Sequence, residues 1–198
     1  MKLLLATRNR DKISEIEEIL CGLSLEILTY NNFPDLPEVI ENKDTLAGNA
    51  EKKALESAEF SGIPTIADDT GLFVEALKGA PGVYSSRYAG ENCSYKDNRV
   101  KLLSEMKGIT NRKAQFKTVV AFAFPGKVIA TTEGIVEGEI TEQEIGDRGF
   151  GYDSIFRAQE TGRTYAEMSD KEKNTISHRA RALQKIIPKI ISHNSDKK

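Results

Sequence analysis

Two apolar patterns alternate through the first third of the chain, and this alternation limits the fold more than any other feature. Short apolar runs at Leu3–Ala6, Leu25–Leu28 and Thr65–Ala67 are typical of buried strands. Between them, residues 12–21 carry apolar side chains at helical spacing, and residues 45–60 are rich in alanine. A strand–helix–strand–helix–strand order is the pattern of an α/β protein, so we expect an α/β fold.

The later part of the chain predicts a hairpin and a final helix. Residues 113–124 and 128–140 are two β-type segments on either side of a Pro-Gly turn, which indicates a long hairpin. Residues 169–187 have a helical pattern that is interrupted around 175–177. Because proline lacks an N–H group, we expect Pro188 to kink or end this helix.

Composition excludes several classes of protein. The chain has 198 residues and a net charge of −2, so it carries no bulk charge that would favour nucleic acids or a membrane surface. Its two cysteines, Cys21 and Cys93, lack metal-type or redox-type spacing and indicate reduced thiols. We therefore expect a cytoplasmic protein that binds neither nucleic acid nor membrane, with one domain over 1–192 and a polar tail over 193–198.

A pair of adjacent acids, Asp68 and Asp69, follows the apolar run 63–67. If the strand ends there, two carboxylates lie at its tip and repel each other, and a divalent cation would offset the repulsion. Glu41, on a preceding loop, is a candidate third oxygen ligand. One carboxylate could then hold the metal while another deprotonates a water. The alternative is that one aspartate only caps the next segment.

The first strand-to-helix turn is a candidate anion site. Its residues are Thr7, Arg8, Asn9, Arg10, Asp11 and Lys12. Main-chain N–H groups at the start of a helix attract anions, and the threonine, asparagine and lysine side chains add donors. The turn lacks the glycines of a P-loop. A capped helix start with surface charges would explain the same residues.

Two later segments could recognise a flat ring. In Gly149–Asp153, glycines flank the aromatic residues Phe150 and Tyr152 beside a carboxylate, although a tight turn with two core aromatics is equally consistent. Ser177 is a good helix N-cap, which puts His178 and Arg179 in a first turn where cations oppose the helix dipole. A bound anion or base edge would explain them, and so would a solvated charged face.

Taken together and in order, these segments resemble the family of inosine triphosphate (dITP/XTP) pyrophosphatases. The likeness runs from Thr7 to Arg179. The matching motifs are Thr7-x-Asn9-x-x-Lys12, Asn49-Ala50-x-x-Lys53-Ala54, Ala67 to Leu72, Gly79 to Tyr88, Gly149 to Asp153 and Glu172 to Arg179.

The resemblance implies a fold, a reaction and an assembly. The implied α/β fold is a long twisted mixed β-sheet flanked by helices, with two lobes enclosing a nucleotide-binding cleft. The implied enzyme uses Mg²⁺ to hydrolyse purine nucleoside triphosphates (ITP, dITP and XTP) to the monophosphate and pyrophosphate, which cleanses the nucleotide pool. Family members form homodimers.

The resemblance also implies residue roles. Asp69 matches the general base, and Glu41 together with Asp68 or Asp69 matches the metal site. The matching substrate-binding residues are Thr7, Arg8, Asn9, Arg10, Asp11, Lys12 and Lys53 for the triphosphate, Thr70 near the metal, and Phe150, Gly151, Tyr152, Asp153, Lys173, His178 and Arg179 for base and ribose. The chain departs from the family at Asn42-Lys43-Asp44, which leaves Glu38 as an alternative to Glu41.

Two other functions are compatible with parts of this pattern. A Maf-like phosphohydrolase acting on modified pyrimidine nucleotides would share the acids and the first turn, but it would not need the Phe150 and His178 segments. A non-catalytic nucleotide or RNA binder would lose affinity by keeping two carboxylates at a phosphate site without metal.

Overall fold

The chain folds around a mixed seven-stranded β-sheet, described by the computed structural model over residues 1–195. The strands are β1 (Lys2–Leu5), β2 (Glu26–Leu28), β3 (Thr65–Val74), β4 (Pro81–Gly82), β5 (Lys113–Phe124), β6 (Lys127–Ile140) and β7 (Phe156–Ala158). The α-helices within these residues are α1 (Arg10–Leu20), α2 (Leu46–Ser61), α3 (Tyr95–Glu105), α4 (Asp170–Ile176) and α5 (His178–Ser195). The predicted α/β class is confirmed.

The sheet combines parallel and antiparallel pairs. Its strand order is β2-β1-β3-β5-β6-β7, and β4 lies beside β3. β1 is parallel to both β2 and β3, as expected where helices connect the strands, whereas β4 and β7 run antiparallel to β3 and β6. The predicted hairpin is β5 and β6, joined by Pro125-Gly126.

Local capping explains where the first two helices begin. The side chain of Asn9 accepts hydrogen bonds from the N–H groups of Asp11 and Lys12, which starts α1. The Thr45 side chain accepts the N–H of Gly48 and starts α2, which ends at Gly62 in the left-handed conformation. Both helices lie close to their predicted bounds.

The third strand differs from its prediction. β3 does not end at the acid pair but continues to Val74, so the expected strand-tip location of Asp68 and Asp69 is wrong. β1 pairs with β3 at Thr65 and Ile66, while β4 pairs with its far half, at Leu72 and Phe73. The acids therefore lie within β3, beyond the point where its neighbour β1 has ended.

The C-terminal helices confirm the predicted interruption and correct one boundary. Ser177 separates α4 from α5, as the sequence pattern indicated. Pro188 does not end α5, which continues to Ser195. Ile186 and Ile190 are both fully buried on either side of the proline, so packing outweighs the missing hydrogen bond. Residues 193–195 of the expected tail are helical, and 196–198 lie outside the described residues.

The chain divides into two compact units, each with its own apolar core. The first unit comprises Met1–Asp69, Thr118–Gly134 and the described residues from Arg179 onward, and the second comprises Thr70–Lys117 and Ile135–His178. Strands β3, β5 and β6 contribute residues to both. The first core includes Leu3, Leu5, Ile16, Ile66, Phe122, Leu183, Ile186 and Ile190. The second includes Leu72, Leu102, Phe116, Ile140, Phe156 and Tyr165.

Two further expectations can be compared with the structure. Both cysteines are free thiols, as predicted, with Cys21 exposed and Cys93 half-buried. None of the helices within residues 1–195 is long and apolar enough to cross a membrane.

Candidate active site

The first unit gathers a set of mostly buried charged side chains, which we call the charged cluster. Its members are Lys12, Glu15, Glu41, Lys53, Asp68, Asp69 and Arg179. A buried charge is costly unless it is paired and hydrogen-bonded. The pairing within the cluster therefore decides what each group can do chemically.

Asp68 is held by two cations. Its Oδ2 lies 3.1 Å from Lys12 Nζ and 3.1 Å from Arg179 Nη2, and Arg179 also pairs with Glu15. Burial would raise the pKa of Asp68, but Lys12, Arg179 and Lys53 outweigh it and hold that pKa far below its usual value. Asp68 is therefore a fixed anion that binds two protein cations.

The pKa of Asp69 is shifted in the opposite direction from that of Asp68. Its Oδ2 accepts a hydrogen bond from Asn49 Nδ2 at 3.1 Å, and its Oδ1 lies 4.0 Å from Lys53 Nζ. Burial raises the pKa of Asp69, and the opposing effects of Lys53 and Asn49 do not cancel the rise. A carboxylate with a raised pKa is a better proton acceptor, so Asp69 suits a general base better than its neighbour does.

Lys53 joins Glu41 to the acid pair. Its Nζ donates to Glu41 Oε1 at 2.5 Å and to the main-chain oxygen of Asp68 at 2.6 Å. Burial would lower the pKa of Lys53, but Glu41, Asp69 and Asp68 outweigh it and raise that pKa. The ammonium thus stays charged, and the carboxylates of Glu41 and Asp69 lie on one cation.

This pairing tests which acids could hold a divalent metal. Within residues 1–195, no three His, Cys, Asp or Glu side chains are arranged as a ready metal site. Mg²⁺ is commonly bound through one or two carboxylates together with water and substrate phosphates. Glu41 and Asp69 fit that role, because they already share a cation. Asp68 fits it less well, because its Oδ2 is bound by Lys12 and Arg179.

The first turn makes structural contacts as well as offering donors. Asn9 is the N-cap of α1, which agrees with the capped-start interpretation. The Arg8 guanidinium lies 4.1 Å from the centre of the Tyr30 ring and donates to the Leu36 carbonyl at 2.8 Å. Arg10 and Asp11 are exposed, and Thr7 is half-buried. The substrate-binding role of this turn remains a prediction.

In the second unit, the aromatic cluster comprises Phe116, Phe150, Asp153, Tyr165, Lys173 and His178. Lys173 Nζ pairs with Asp153 Oδ2 at 2.5 Å and lies 4.6 Å from the centre of the Phe150 ring. The main-chain N–H of Phe150 donates to the same Asp153 oxygen at 2.9 Å. One carboxylate thus fixes both the lysine and the half-buried ring.

His178 is fixed by stacking. Its ring lies parallel to that of Phe116, with centres 4.5 Å apart and planes 6° apart, and the Tyr165 ring is 5.9 Å away. All three rings are buried. His178 therefore has one defined ring orientation within the second unit.

The loop between Gly149 and Asp153 places its residues differently. Tyr152 is buried in the core, and its hydroxyl donates to the Ser85 carbonyl at 2.8 Å, which agrees with the tight-turn interpretation for this ring. Arg99 Nη1 donates to the Gly151 carbonyl at 2.8 Å. Phe150 is left as the half-buried aromatic face of the segment. Thr70, which follows Asp69 along β3, is also half-buried.

Some important residues had weak or no sequence signals. Asn49 lies four residues before Lys53, so the two share a face of α2 and a role near Asp69 could have been anticipated. Glu15 pairs with Arg179 across 164 residues of sequence, for which no local pattern exists. Phe116 is one of several apolar residues of β5, and nothing in the sequence distinguishes it as the partner of His178.

Comparison with known proteins gives consistent results. The model of the Ham1 family matches residues 3–189. A dITP/XTP pyrophosphatase of Desulforamulus reducens is 47% identical over 187 residues, covering 93% of this chain and 93% of its own. The dITP/XTP pyrophosphatase of Geobacter sulfurreducens is 46% identical over 184 residues, covering 92% of each. A solved HAM1 protein from Coxiella burnetii superposes with a TM-score of 0.88 at 36% identity, covering 97% of this chain and 99% of its own.

Proposed function

Because this chain belongs to the Ham1 family, we propose that it is a pyrophosphatase of deaminated purine nucleoside triphosphates. It hydrolyses dITP, XTP and ITP to the nucleoside monophosphate and pyrophosphate, and so removes these nucleotides from the pool. The relatives named dITP/XTP pyrophosphatase support this substrate class.

One observation carries the chemical assignment: the carboxylates of Glu41 and Asp69 lie on a single cation, Lys53. Asp69, whose pKa is raised by burial, accepts the proton of the attacking water. Lys12 and Lys53 stabilise the negative charge that develops on the pyrophosphate leaving group. Asp68 keeps Lys12 and Arg179 in place.

Glu41 and one carboxylate oxygen of Asp69 would hold Mg²⁺, which when bound neutralises charge on phosphate oxygens, and the other oxygen of Asp69 serves as the base. The donor set supports this assignment, because two oxygen ligands from the protein leave room for water and phosphate.

The aromatic cluster is assigned to base recognition. Phe150 offers a ring face for stacking, and its position is fixed by Asp153 and Lys173. A 6-keto purine differs from adenine by presenting an acceptor where adenine presents an amino group. Selection therefore requires donors that face O6, and Lys173 and His178 are the candidates in this cluster.

The cellular setting and assembly follow from the same proposal. A cytoplasmic location suits both the free thiols of Cys21 and Cys93 and a role in nucleotide metabolism. The family resemblance implies a homodimer, which light scattering coupled to size-exclusion chromatography would measure. Single-stranded and duplex nucleic acids are not expected to compete with the nucleotide.

Product analysis tests the proposal. Purified protein is incubated with ITP, dITP, XTP, GTP, ATP or dUTP, with and without Mg²⁺, and the released phosphates are separated. We expect pyrophosphate from the first three, only with metal, and at least about 100-fold lower kcat/KM for ATP. Release of orthophosphate would refute the reaction type, equal use of ATP would refute the specificity, and preference for dUTP would favour a pyrimidine-directed enzyme.

A further inference from the structure

The face of α2 that carries Lys53 also carries Asn49 and Lys52, since these positions are three and four residues apart. All three side chains contact the segment 40–43, which contains Glu41 and which we call the Glu41 loop. Lys53 pairs with the carboxylate of Glu41 itself. Lys52 contacts the loop both before and after Glu41, and Asn49 contacts it at Lys43.

Lys52 makes the contacts that bracket Glu41. Its Nζ donates to the main-chain oxygen of Ile40 at 2.9 Å and to Asn42 Oδ1 at 3.0 Å. Beyond Asn42, the N–H of Lys43 donates to Asn49 Oδ1 at 2.9 Å. The residues immediately before and after Glu41 are thus both tied to one ammonium group.

The loop has little apolar burial to hold it. Val39 is buried, but Ile40 is 72% exposed, and Asn42, Lys43 and Asp44 are exposed as well. A loop with few buried apolar contacts opens easily unless polar contacts order it. The polar contacts from α2 therefore hold the Glu41 loop.

The pair between Lys53 and Glu41 cannot do this alone during turnover. In the proposed function, Lys53 also stabilises the leaving group and Glu41 would also hold the metal, so their direct pair is weakened while substrate is bound. The contacts of Lys52 involve the Ile40 carbonyl and the Asn42 side chain rather than the Glu41 carboxylate. They can persist through that change.

We propose that Lys52 is a positioning residue, which fixes the Glu41 loop on α2 so that the Glu41 carboxylate stays beside Lys53 and Asp69. The catalytic consequence rests on the proposed function, whereas the holding of the loop does not. Lys52 acts through Glu41 and is not itself assigned a contact with substrate.

Three variants separate this role from a general structural one. Lys52→Met removes the donor but keeps much of the aliphatic stem, and Lys52→Arg restores a donor. Glu56→Gln is the matched control, because Glu56 Oε1 lies 3.9 Å from the same ammonium and belongs to α2 rather than to the Glu41 loop. It removes a surface ion pair of Lys52 and leaves the bonds to Ile40 and Asn42.

Hydrogen exchange of the Lys43 amide gives the first readout, on protein without nucleotide. We expect exchange to be about tenfold faster in Lys52→Met, the size expected for losing one charge-assisted hydrogen bond, and near the wild-type rate in the other two. Unchanged exchange in Lys52→Met, or equal acceleration in Glu56→Gln, would overturn the proposal.

Steady-state kinetics give the second readout. Lys52→Met should lower kcat about tenfold and raise the Mg²⁺ concentration for half-maximal rate, with the KM for ITP little changed and with rescue by Lys52→Arg. Faster exchange with unchanged kcat would show a loop contact without a positioning role. If the wild-type protein hydrolyses none of the nucleotides, the proposed function fails, and the exchange experiment still decides whether Lys52 holds the loop.

Discussion

The charged cluster and the aromatic cluster fix their polar groups in different ways. In the first unit, Asp68 and Asp69 are surrounded by lysines and an arginine, and small differences in pairing give the two acids opposite pKa shifts. In the second unit, the ion pair between Lys173 and Asp153 lies beside the rings of Phe150 and Tyr165. The comparison shows that charged neighbours set the pKa values of the acids in one cluster, whereas ring contacts fix the lysine and the histidine in the other.

The largest expected effect comes from Asp69→Asn. Because the variant cannot accept a proton, we expect kcat to fall on the order of 1,000-fold while nucleotide binding is retained. Turnover is measured by pyrophosphate release, and binding by titration calorimetry. A variant that kept nearly full turnover would remove Asp69 from the base assignment and weaken the contrast between the clusters.

The same variant should not lose stability. The pKa of Asp69 is raised in the folded protein, so its contribution to stability is complete below its unfolded pKa and is lost as pH rises through the folded pKa. At neutral pH the ionised carboxylate is therefore unfavourable in the fold. A neutral amide removes that cost, and the melting temperature at pH 7 should equal or exceed that of the wild type.

Asp68→Asn should give the opposite result. It leaves Lys12 and Arg179 without their shared carboxylate, which we expect to destabilise the fold by about 3 kcal/mol in urea unfolding at pH 7. Since the pKa of Asp68 is lowered, its stabilisation is present above the unfolded value of 3.8 and is lost as pH falls through the folded pKa. The difference from wild type should therefore shrink below pH 3.8, and a constant difference would contradict the assignment.

Much of the fold was predictable because its signals are local. The alternating patterns of the first 67 residues and the Pro-Gly hairpin depend on neighbours in sequence, and the structure contains them. The length of β3 was not predictable, because its two halves pair with β1 and β4, which come from different parts of the chain. Of the two outcomes predicted for Pro188, an end of the helix is wrong, because a local rule ignores the buried isoleucines on both sides.

The site shows the same division between local and distant information. From the sequence, the cations in the first turn of α5 were explained by a bound anion, a base edge or a solvated charged face. For Arg179, the anions in this structure are the carboxylates of Glu15 and Asp68, which come from distant parts of the chain. The two aspartates look equivalent in sequence, and their different pKa values arise only from the lysines, arginine and asparagine that folding brings to them.

The smallest expected effect tests the aromatic cluster through Gly149→Ala. Gly149 has a φ of +70°, and a Cβ there would lie 2.2 Å from Asp153 Oδ2, the oxygen that Lys173 binds. Gly162 has a similar φ of +66°, but nothing lies within 4 Å of its Cβ, so Gly162→Ala is the matched control for backbone strain alone.

We expect Gly162→Ala to cost about 1 kcal/mol of stability and Gly149→Ala about 2 kcal/mol, because displacement of Asp153 adds to the same strain. Displacing Asp153 also moves Lys173 and the Phe150 ring, so Gly149→Ala should raise the KM for ITP several-fold with little change in kcat, whereas Gly162→Ala should change neither. The position of Asp153 in the aromatic cluster would then affect the KM for ITP, just as the charge of Asp69 in the charged cluster affects kcat. Equal kinetics in the two variants would break that comparison, since the Asp153–Lys173 pair would then not control the position of the base.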